Sequence, residues 1–187
     1  MTSADCGCPR QRLFHFSDDP AIGRFEPRPV RRPSARPDGW DWLNGPLVWA
    51  IDEAHAPLYL FPRDCPRILV WPTSSTTGAD RRRWFGAQGP RAIAHVERAW
   101  LGRIRAATLH RYDMPRATFE DIGDVGMWVS RETVTPLATE ALTDLPGWLD
   151  AMGVELRALD SLTGLRDVWS TSLHASGLRL RNAAGWV

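Results

Sequence analysis

Short apolar segments bounded by turn-forming residues constrain the fold of this chain more than any other sequence feature. Residues 13–16, 47–51 and 67–71 are runs of four or five mostly apolar residues, and each is followed directly by Ser, Asp or Pro. Such runs are typical of buried strands that end in turns. From the same pattern, or from apolar-polar alternation, further strands are predicted over 108–114, 125–130, 134–142, 154–159 and 178–181, the last as an edge strand.

Helices are predicted between these strands, because apolar residues recur there at helical spacing or follow a capping residue. In residues 92–105, for example, Ile93, Val96 and Trp100 would share one helix face. The other predicted helices cover 52–61, 77–84, 144–152 and 162–169.

This order of elements predicts an α+β fold with a mixed, mostly antiparallel sheet, continuous or split, flanked by helices. A chain of 187 residues is of the size of one domain. We therefore expect a flexible leader over residues 1–11 and a single α+β domain over residues 12–187.

Basic residues are arginines throughout, 23 in number, and the chain contains no lysine. This composition excludes mechanisms that need a lysine nucleophile, a Schiff base or a phosphate-loop lysine. The chain also contains ten tryptophans, which suit either core packing or the stacking of a flat ligand.

Charge is distributed unevenly, although the formal net charge is only +1. Residues 63–111 contain ten arginines and three acids, whereas residues 112–163 contain three arginines and ten acids. The asymmetry indicates either a basic surface for an anionic small molecule or nucleotide, or two surfaces that pair on folding. Neither a nucleic-acid partner nor a membrane is expected, and the oligomeric state is left open.

Three cysteines, without a secretory signal before them, favour a reducing cytoplasm over a disulfide framework. Cys6 and Cys8 lack a second ligand pair at the usual spacing, so no metal is expected. Cys65 lies close to Arg63 and Arg67, which would lower its thiol pKa, although most single cysteines are inert small hydrophobes.

The commonest catalytic motifs are absent. The sequence contains no Gly-x-Ser-x-Gly, no Gly-x-Gly-x-x-Gly and no His-Glu-x-x-His. His95 and Glu97 suggest a zinc deaminase, but the downstream Pro-Cys-x-x-Cys is missing, and on the predicted helix the two side chains would point apart.

Several longer segments resemble a bacterial family of small proteins without an assigned function. The likeness extends over nearly the whole chain and names no activity. It rests on residues 13–20, 47–52, 59–67, 126–132 and 172–177.

A more distant resemblance is to the small ADP-ribosyltransferases. It is based on His-Phe-Ser in the first strand, an aromatic second strand followed by a tyrosine, Tyr-x-x-Pro at 112–115, and Trp-Val-Ser-x-Glu-x-Val-x-Pro at 128–136. The resemblance implies a split mixed sheet with NAD in its cleft. It also implies a histidine toward the nicotinamide ribose, a tyrosine stacked on nicotinamide and an acidic residue on a late strand.

Transferred to this chain, the resemblance assigns catalytic roles to His15, Tyr59 and Glu132, with Tyr112 as an alternative to Tyr59. A carboxylate would stabilise the positive charge that develops on the ribose when the glycosidic bond breaks. The cofactor-binding residues would be Trp49, Arg63 and Arg67, with either arginine as a bidentate donor to pyrophosphate.

The predicted function is therefore transfer of ADP-ribose from NAD, as substrate, to an unidentified acceptor. One alternative is a non-catalytic domain whose arginines and tryptophans bind a flat anionic ligand or a protein. A second alternative is an enzyme that uses His15, His55 and His174 as acid–base groups or metal ligands.

Overall fold

The computed structural model describes residues 11–33 and 35–186, so the predicted leader lies, apart from Gln11, outside the described residues. The fold is α+β, as predicted, with strands in two sheets and short helices between them. The strands are β1 (Leu13–Ser17), β2 (Val48–Asp52), β3 (Arg67–Trp71), β4 (Ala92–Glu97), β5 (Leu109–Met114), β6 (Glu120–Asp121), β7 (Met127–Ser130), β8 (Ala138–Leu142), β9 (Val154–Leu159) and β10 (His174–Leu178).

Helices are short. The α-helices are α1 (Gly78–Phe85), α2 (Leu101–Ala106) and α3 (Leu145–Ala151). Single 3₁₀ segments cover Asp41–Asn44, Ala56–Tyr59, Arg98–Trp100, Arg116–Thr118, Thr163–Ser170 and Leu180–Asn182. Within the described residues, none of the helices has the length and apolar composition needed to cross a bilayer.

The chain divides into two compact units, each assembled from an early and a late segment. The first unit extends to Ala56 and resumes over His110–Glu140, and the second comprises Pro57–Leu109 and the residues from Ala141 onward. The sheet that contains β1 belongs to the first unit, apart from Leu109 of β5 and residues 141–142 of β8, and the other sheet lies in the second unit. The single domain over residues 12–187 stays a prediction.

The sheet of the first unit has the strand order β6-β7-β2-β1-β5-β8. In it, β1 pairs antiparallel with β2 and β5, and β7 pairs antiparallel with β2 and β6. One face of this sheet carries the core of the unit, because residues two apart on a strand share a face. The core consists of Leu13, Phe25, Val48, Ala50, Tyr112, Met114, Phe119, Trp128 and Val134.

The sheet of the second unit has the order β10-β3-β4-β9 and is mixed. β3 pairs antiparallel with β4 and β10, whereas β4 and β9 are parallel. Its main core cluster is formed by Ile68, Val70, Phe85, Ile93, Leu162, Val168, Leu173 and Ala183.

The prediction of a helix over residues 92–105 is wrong in its first half. Residues 92–97 form β4, and α2 begins only at Leu101. All six residues of β4 are buried between β3 and β9. A fully buried strand has apolar residues on both faces, and this run gave Ile93 and Val96 a helical spacing by coincidence. In the strand His95 and Glu97 point to the same face, not apart.

The predicted strand over residues 178–181 is displaced. The edge strand of this sheet is β10, which ends at Leu178. Arg179 has a φ of 57°, in the left-handed region, so it ends the extended backbone before a 3₁₀ turn over Leu180–Asn182.

Candidate functional site

The first sheet opens between its two central strands, and His15 occupies the opening. The ladder between β1 and β2 joins Leu13 to Asp52 and Phe14 to Ile51, whereas β1 pairs with β5 along its whole length. Beyond Phe14 the imidazole Nδ1 of His15 lies 2.8 Å from the carbonyl oxygen of Trp49. A carbonyl can only accept, so Nδ1–H donates, and in a neutral imidazole of that tautomer Nε2 is the acceptor nitrogen.

The Trp49 side chain carries a further polar atom, but it packs against Leu43, Leu47 and Val129, on the opposite face of the sheet from the His15 ring. Its indole Nε1 is buried and has no hydrogen-bond partner among the described atoms. A buried N–H without an acceptor costs about 1–3 kcal/mol, so such a group marks a place where a ligand acceptor would be stabilised. Trp49 is itself only half-buried.

An aromatic cover lies over His15. The ring centroid of Phe25 is 4.7 Å from that of His15, and Phe25 forms an antiparallel bridge with Val134. The Tyr112 ring packs edge-on against Phe25 at 5.1 Å. These contacts fix the position of the imidazole from the core side of the sheet.

Tyr112 has a structural role in the described contacts. Its side chain is fully buried, and its hydroxyl donates to the carbonyl of Asp19 at 2.5 Å and accepts from the backbone N–H of Ile22 at 3.2 Å. The hydroxyl therefore holds the loop that follows β1. Because the Tyr112 ring is enclosed, it has no open face for stacking on a ligand, and the stacking role of Tyr59 stays a prediction.

Glu132 lies at the same end of the first sheet as His15 and Trp49. β1 ends at Ser17, β2 begins at Val48, and Val48 pairs with Ser130, the last residue of β7. The Oγ of Ser130, which is fully buried, accepts the backbone N–H of Glu132 at 3.1 Å. This contact fixes the backbone of Glu132, whose side chain is exposed.

The other predicted site residues lie in the second unit, where Arg67 is buried. Its Nε donates to the carbonyl of Leu58 at 2.8 Å and its Nη1 to that of Cys65 at 3.0 Å. The guanidinium also lies over the rings of Phe61 and Tyr59, at 5.1 and 5.9 Å. Burial lowers the pKa of Arg67 to about 10.

These contacts show that Arg67 holds the segment that contains the half-buried Tyr59. Arg63 is exposed, and its backbone carbonyl accepts from Nε of Arg179 at 3.0 Å. The roles of Tyr59, Arg63 and Arg67 toward NAD stay predictions.

Cys65 does not have the lowered thiol pKa that its two neighbouring arginines suggested. The thiol is buried, and burial raises its pKa to about 12, although the charge of Arg67 acts in the opposite direction. The guanidinium of Arg67 is directed to backbone carbonyls, not to the sulfur. Cys65 therefore behaves as a small hydrophobic residue.

The three histidines proposed as an acid–base or metal set are divided between the units. His15 and His55 lie in the first unit and His174 lies in the second, where its ring stacks on Trp71 at 4.3 Å. Among residues 11–33 and 35–186, no group of three or more His, Cys, Asp or Glu side chains is arranged to hold a metal ion. His55 is instead paired with Asp52, at 2.7 Å.

The Asp52–His55 pair was not identified from the sequence, although a signal for it exists. Asp52 follows a buried apolar strand and precedes His55 by three residues. The helix predicted over residues 52–61 does not begin there: Asp52 ends β2, its Oδ1 accepts the backbone N–H of His55 at 2.8 Å in the turn that follows, and only a 3₁₀ segment forms, over Ala56–Tyr59.

The molecule is thus an α+β protein whose first sheet opens between β1 and β2 at His15. It belongs to a family of unknown function, DUF6886, whose model matches residues 14–183. No curated protein and no solved structure shows a significant match to the chain.

Proposed function

We propose that this protein transfers ADP-ribose from NAD to a nucleophilic acceptor, at the end of the first sheet where β1 and β2 separate. The observation that carries the proposal is the hydrogen bond from His15 Nδ1 to the Trp49 carbonyl. It orients the His15 ring at the opening between β1 and β2. A nucleotide has ribose hydroxyl groups that can form a hydrogen bond with such a ring.

Glu132 provides the charge that the reaction needs. In the proposed reaction the bond between ribose C1′ and the nicotinamide nitrogen breaks, and nicotinamide leaves with the bonding electrons. The ribose becomes positively charged in the transition state, and the Glu132 carboxylate stabilises it. The acceptor then forms a bond to C1′ and releases its proton to solvent or to a base.

His15 binds and orients in this proposal. Its Nε2 accepts a hydrogen bond from a ribose hydroxyl, and the Phe25 cover holds the ring in that orientation. Arg67 is not assigned to the pyrophosphate, because its buried guanidinium already donates to two backbone carbonyls.

Binding and bond cleavage are tested separately. Titration with NAD is expected to quench the tryptophan fluorescence of the protein. Incubation with NAD is expected to release nicotinamide, measured by chromatography, with water taking the place of the acceptor and ADP-ribose as the second product. Glu132→Gln should keep NAD binding and lose about 100-fold or more of nicotinamide release, as is typical of a residue that acts in the transition state.

Glu155→Gln is the matched control, because Glu155 is an exposed glutamate of the second unit that is paired with Arg157 at 2.8 Å. It should leave nicotinamide release unchanged. No response to millimolar NAD would refute the proposal. Quenching without nicotinamide release would favour the non-catalytic binding domain instead.

A further inference from the structure

Trp128 carries a buried hydrogen-bond donor on the core face of the first sheet. Its side chain is only 4% exposed, and its indole Nε1 has no hydrogen-bond partner among the described atoms. An indole nitrogen can only donate, so an acceptor is needed to satisfy it. Because buried donors are almost always paired, an unpaired one indicates a position where a ligand can supply the acceptor.

Arg116 lies directly over the Trp128 ring. Its guanidinium carbon is 4.3 Å from the centroid of that ring, and the residue is exposed. In the part of the chain that the structure describes, no carboxylate lies within ion-pair distance of Arg116. A ring face attracts the positive charge but has no lone pair in the ring plane for the N–H donors, which remain for another acceptor.

The segment that carries Arg116 is anchored on the sheet. It forms the 3₁₀ segment Arg116–Thr118 and is followed by Phe119, a member of the core cluster of the first unit. Thr118 Oγ1 accepts from Oγ of the fully buried Ser130 at 3.1 Å. These contacts hold the backbone of Arg116 beside Trp128. Rotation of the exposed Arg116 side chain, without movement of the core, therefore uncovers one face of the ring.

Positive charge and a buried N–H donor thus meet at one place. Since Nε1 is an atom of the ring that the guanidinium covers, one tetrahedral anion can accept from both groups. An arginine combined with a further N–H donor is typical of phosphate recognition. Asp121 pairs with Trp128 across the sheet, but its Oδ1 accepts the backbone N–H of Gly123 at 2.8 Å, in the turn that follows β6.

The His15 ring lies on the same face of the sheet as Trp128. Ala50 and Trp128 are paired, and both belong to the core cluster that contains Phe25, whose ring packs on His15. In the strand order β2 lies between β1 and β7. The strands that carry His15 and Trp128 are therefore about two strand spacings, or about 10 Å, apart.

We propose that Arg116 and Trp128 bind a phosphate or diphosphate group, to whose oxygens the guanidinium and the indole N–H both donate. The proposal does not rest on ADP-ribose transfer, because it requires binding alone. In a dinucleotide bound at His15, the same two side chains would hold the pyrophosphate, for which the buried Arg67 is not suited.

The test uses inorganic pyrophosphate, with binding measured by isothermal titration calorimetry. Arg116→Gln removes the charge at an exposed position and should raise the Kd about tenfold or more. Trp128→Phe keeps an aromatic ring under Arg116 but removes the N–H, and should raise the Kd about fivefold. Urea denaturation shows whether Trp128→Phe is folded, and Arg116→Gln tests the proposal without a change in the core.

Arg131→Gln is the matched control. Arg131 also lies over a tryptophan, with its guanidinium carbon 4.5 Å from the Trp42 ring centroid, but it is paired with Glu120 at 3.1 Å. Its replacement should leave the Kd for pyrophosphate unchanged. Equal losses of affinity in Arg116→Gln and Arg131→Gln would show that any surface arginine attracts the anion, and would overturn the proposal.

A second measurement follows the indole N–H itself. In proton–nitrogen correlation NMR spectra, the Nε1–H signal of Trp128 is identified by its absence from Trp128→Phe. This signal should shift when pyrophosphate is added, and not when sodium chloride is added to the same ionic strength. A signal that pyrophosphate leaves unmoved would overturn the assignment of Trp128 to the site.

ADP and adenosine identify the source of the phosphate. Binding of ADP without binding of adenosine would support a nucleotide phosphate, whereas binding of pyrophosphate without ADP would support a free phosphate. No binding at millimolar pyrophosphate, or adenosine binding as tight as that of ADP, would overturn the proposal. Pyrophosphate binding without nicotinamide release from NAD would support this site and count against ADP-ribose transfer alone.

Discussion

The imidazole of His15 binds the backbone of the neighbouring strand, with Nδ1 2.8 Å from the carbonyl oxygen of Trp49. A side chain thus takes the position of a ladder donor at the point where β1 and β2 separate. The Trp49 carbonyl of β2 therefore has a hydrogen-bond donor although β1 and β2 do not pair at this point. The donor position also fixes the tautomer of the neutral ring. This relationship gives His15 a structural role and sets the orientation of its ring at the candidate site.

Replacement of His15 by Ala is expected to affect stability and NAD binding together. The substitution leaves the Trp49 carbonyl without its donor, and the free energy of unfolding should fall by about 1–2 kcal/mol. Loss of one hydrogen bond to the ribose should raise the Kd for NAD about tenfold. Urea denaturation and fluorescence titration measure the two effects, and an unchanged Kd would separate His15 from the proposed function.

Gly126→Ala should be markedly destabilising, by about 2–4 kcal/mol in urea denaturation, because backbone strain and a clash with the Asp52–His55 pair add together. Gly123→Ala is the matched control. Gly123 has a φ of 68°, similar to the 70° of Gly126, but a Cβ at Gly123 would meet no atom within 4 Å. Gly123→Ala should lower the free energy of unfolding by about 1 kcal/mol, which is the backbone strain alone. Equal losses in the two variants would contradict the close packing at Gly126.

Buried His95 should make the protein less stable as the pH falls. Burial, with the charge of Arg157, lowers the pKa of His95 from 6.5 to about 4, and Nδ1 has no partner among the described atoms. The unfolded chain therefore binds a proton below pH 6.5 that the folded chain accepts only near pH 4. The stability that neutral His95 provides is complete above pH 6.5 and is lost progressively toward pH 4.

Replacement of His95 by Leu removes this pH-dependent contribution to the free energy of unfolding. Relative to the wild type, the free energy of unfolding of His95→Leu should rise by about 3 kcal/mol between pH 7 and pH 4. Urea denaturation at a series of pH values gives the difference. A difference that stays constant over this range would show that His95 titrates alike in both states.

Cys65 should be unreactive toward thiol reagents in the folded protein. Its thiol is buried, with a pKa raised to about 12, so that almost no thiolate forms at neutral pH. Labelling with iodoacetamide, located by mass spectrometry, should therefore reach Cys65 only after denaturation. Rapid labelling under native conditions would contradict this placement.

Elements with a strong local signal could be predicted from the sequence. The strand predicted over residues 67–71 is β3, and the helix predicted after Asp144 is α3, whose cap is made by the Asp144 side chain accepting from Gly147. Both depend on neighbouring residues alone. Residues 92–97 could not be assigned in this way, because only pairing with β3 and β9 makes this apolar run a strand.

The candidate site likewise has features that the sequence determines and features that only the folded structure shows. The sequence by itself determines which side chains can carry chemistry, because that depends only on residue type. Examples are His15, Trp49 and Glu132. Only the tertiary structure decided that β1 and β2 separate at His15 and that Gly126 packs against His55. Strand register and contacts between distant segments depend on how the whole core packs, and no local pattern of residues encodes them.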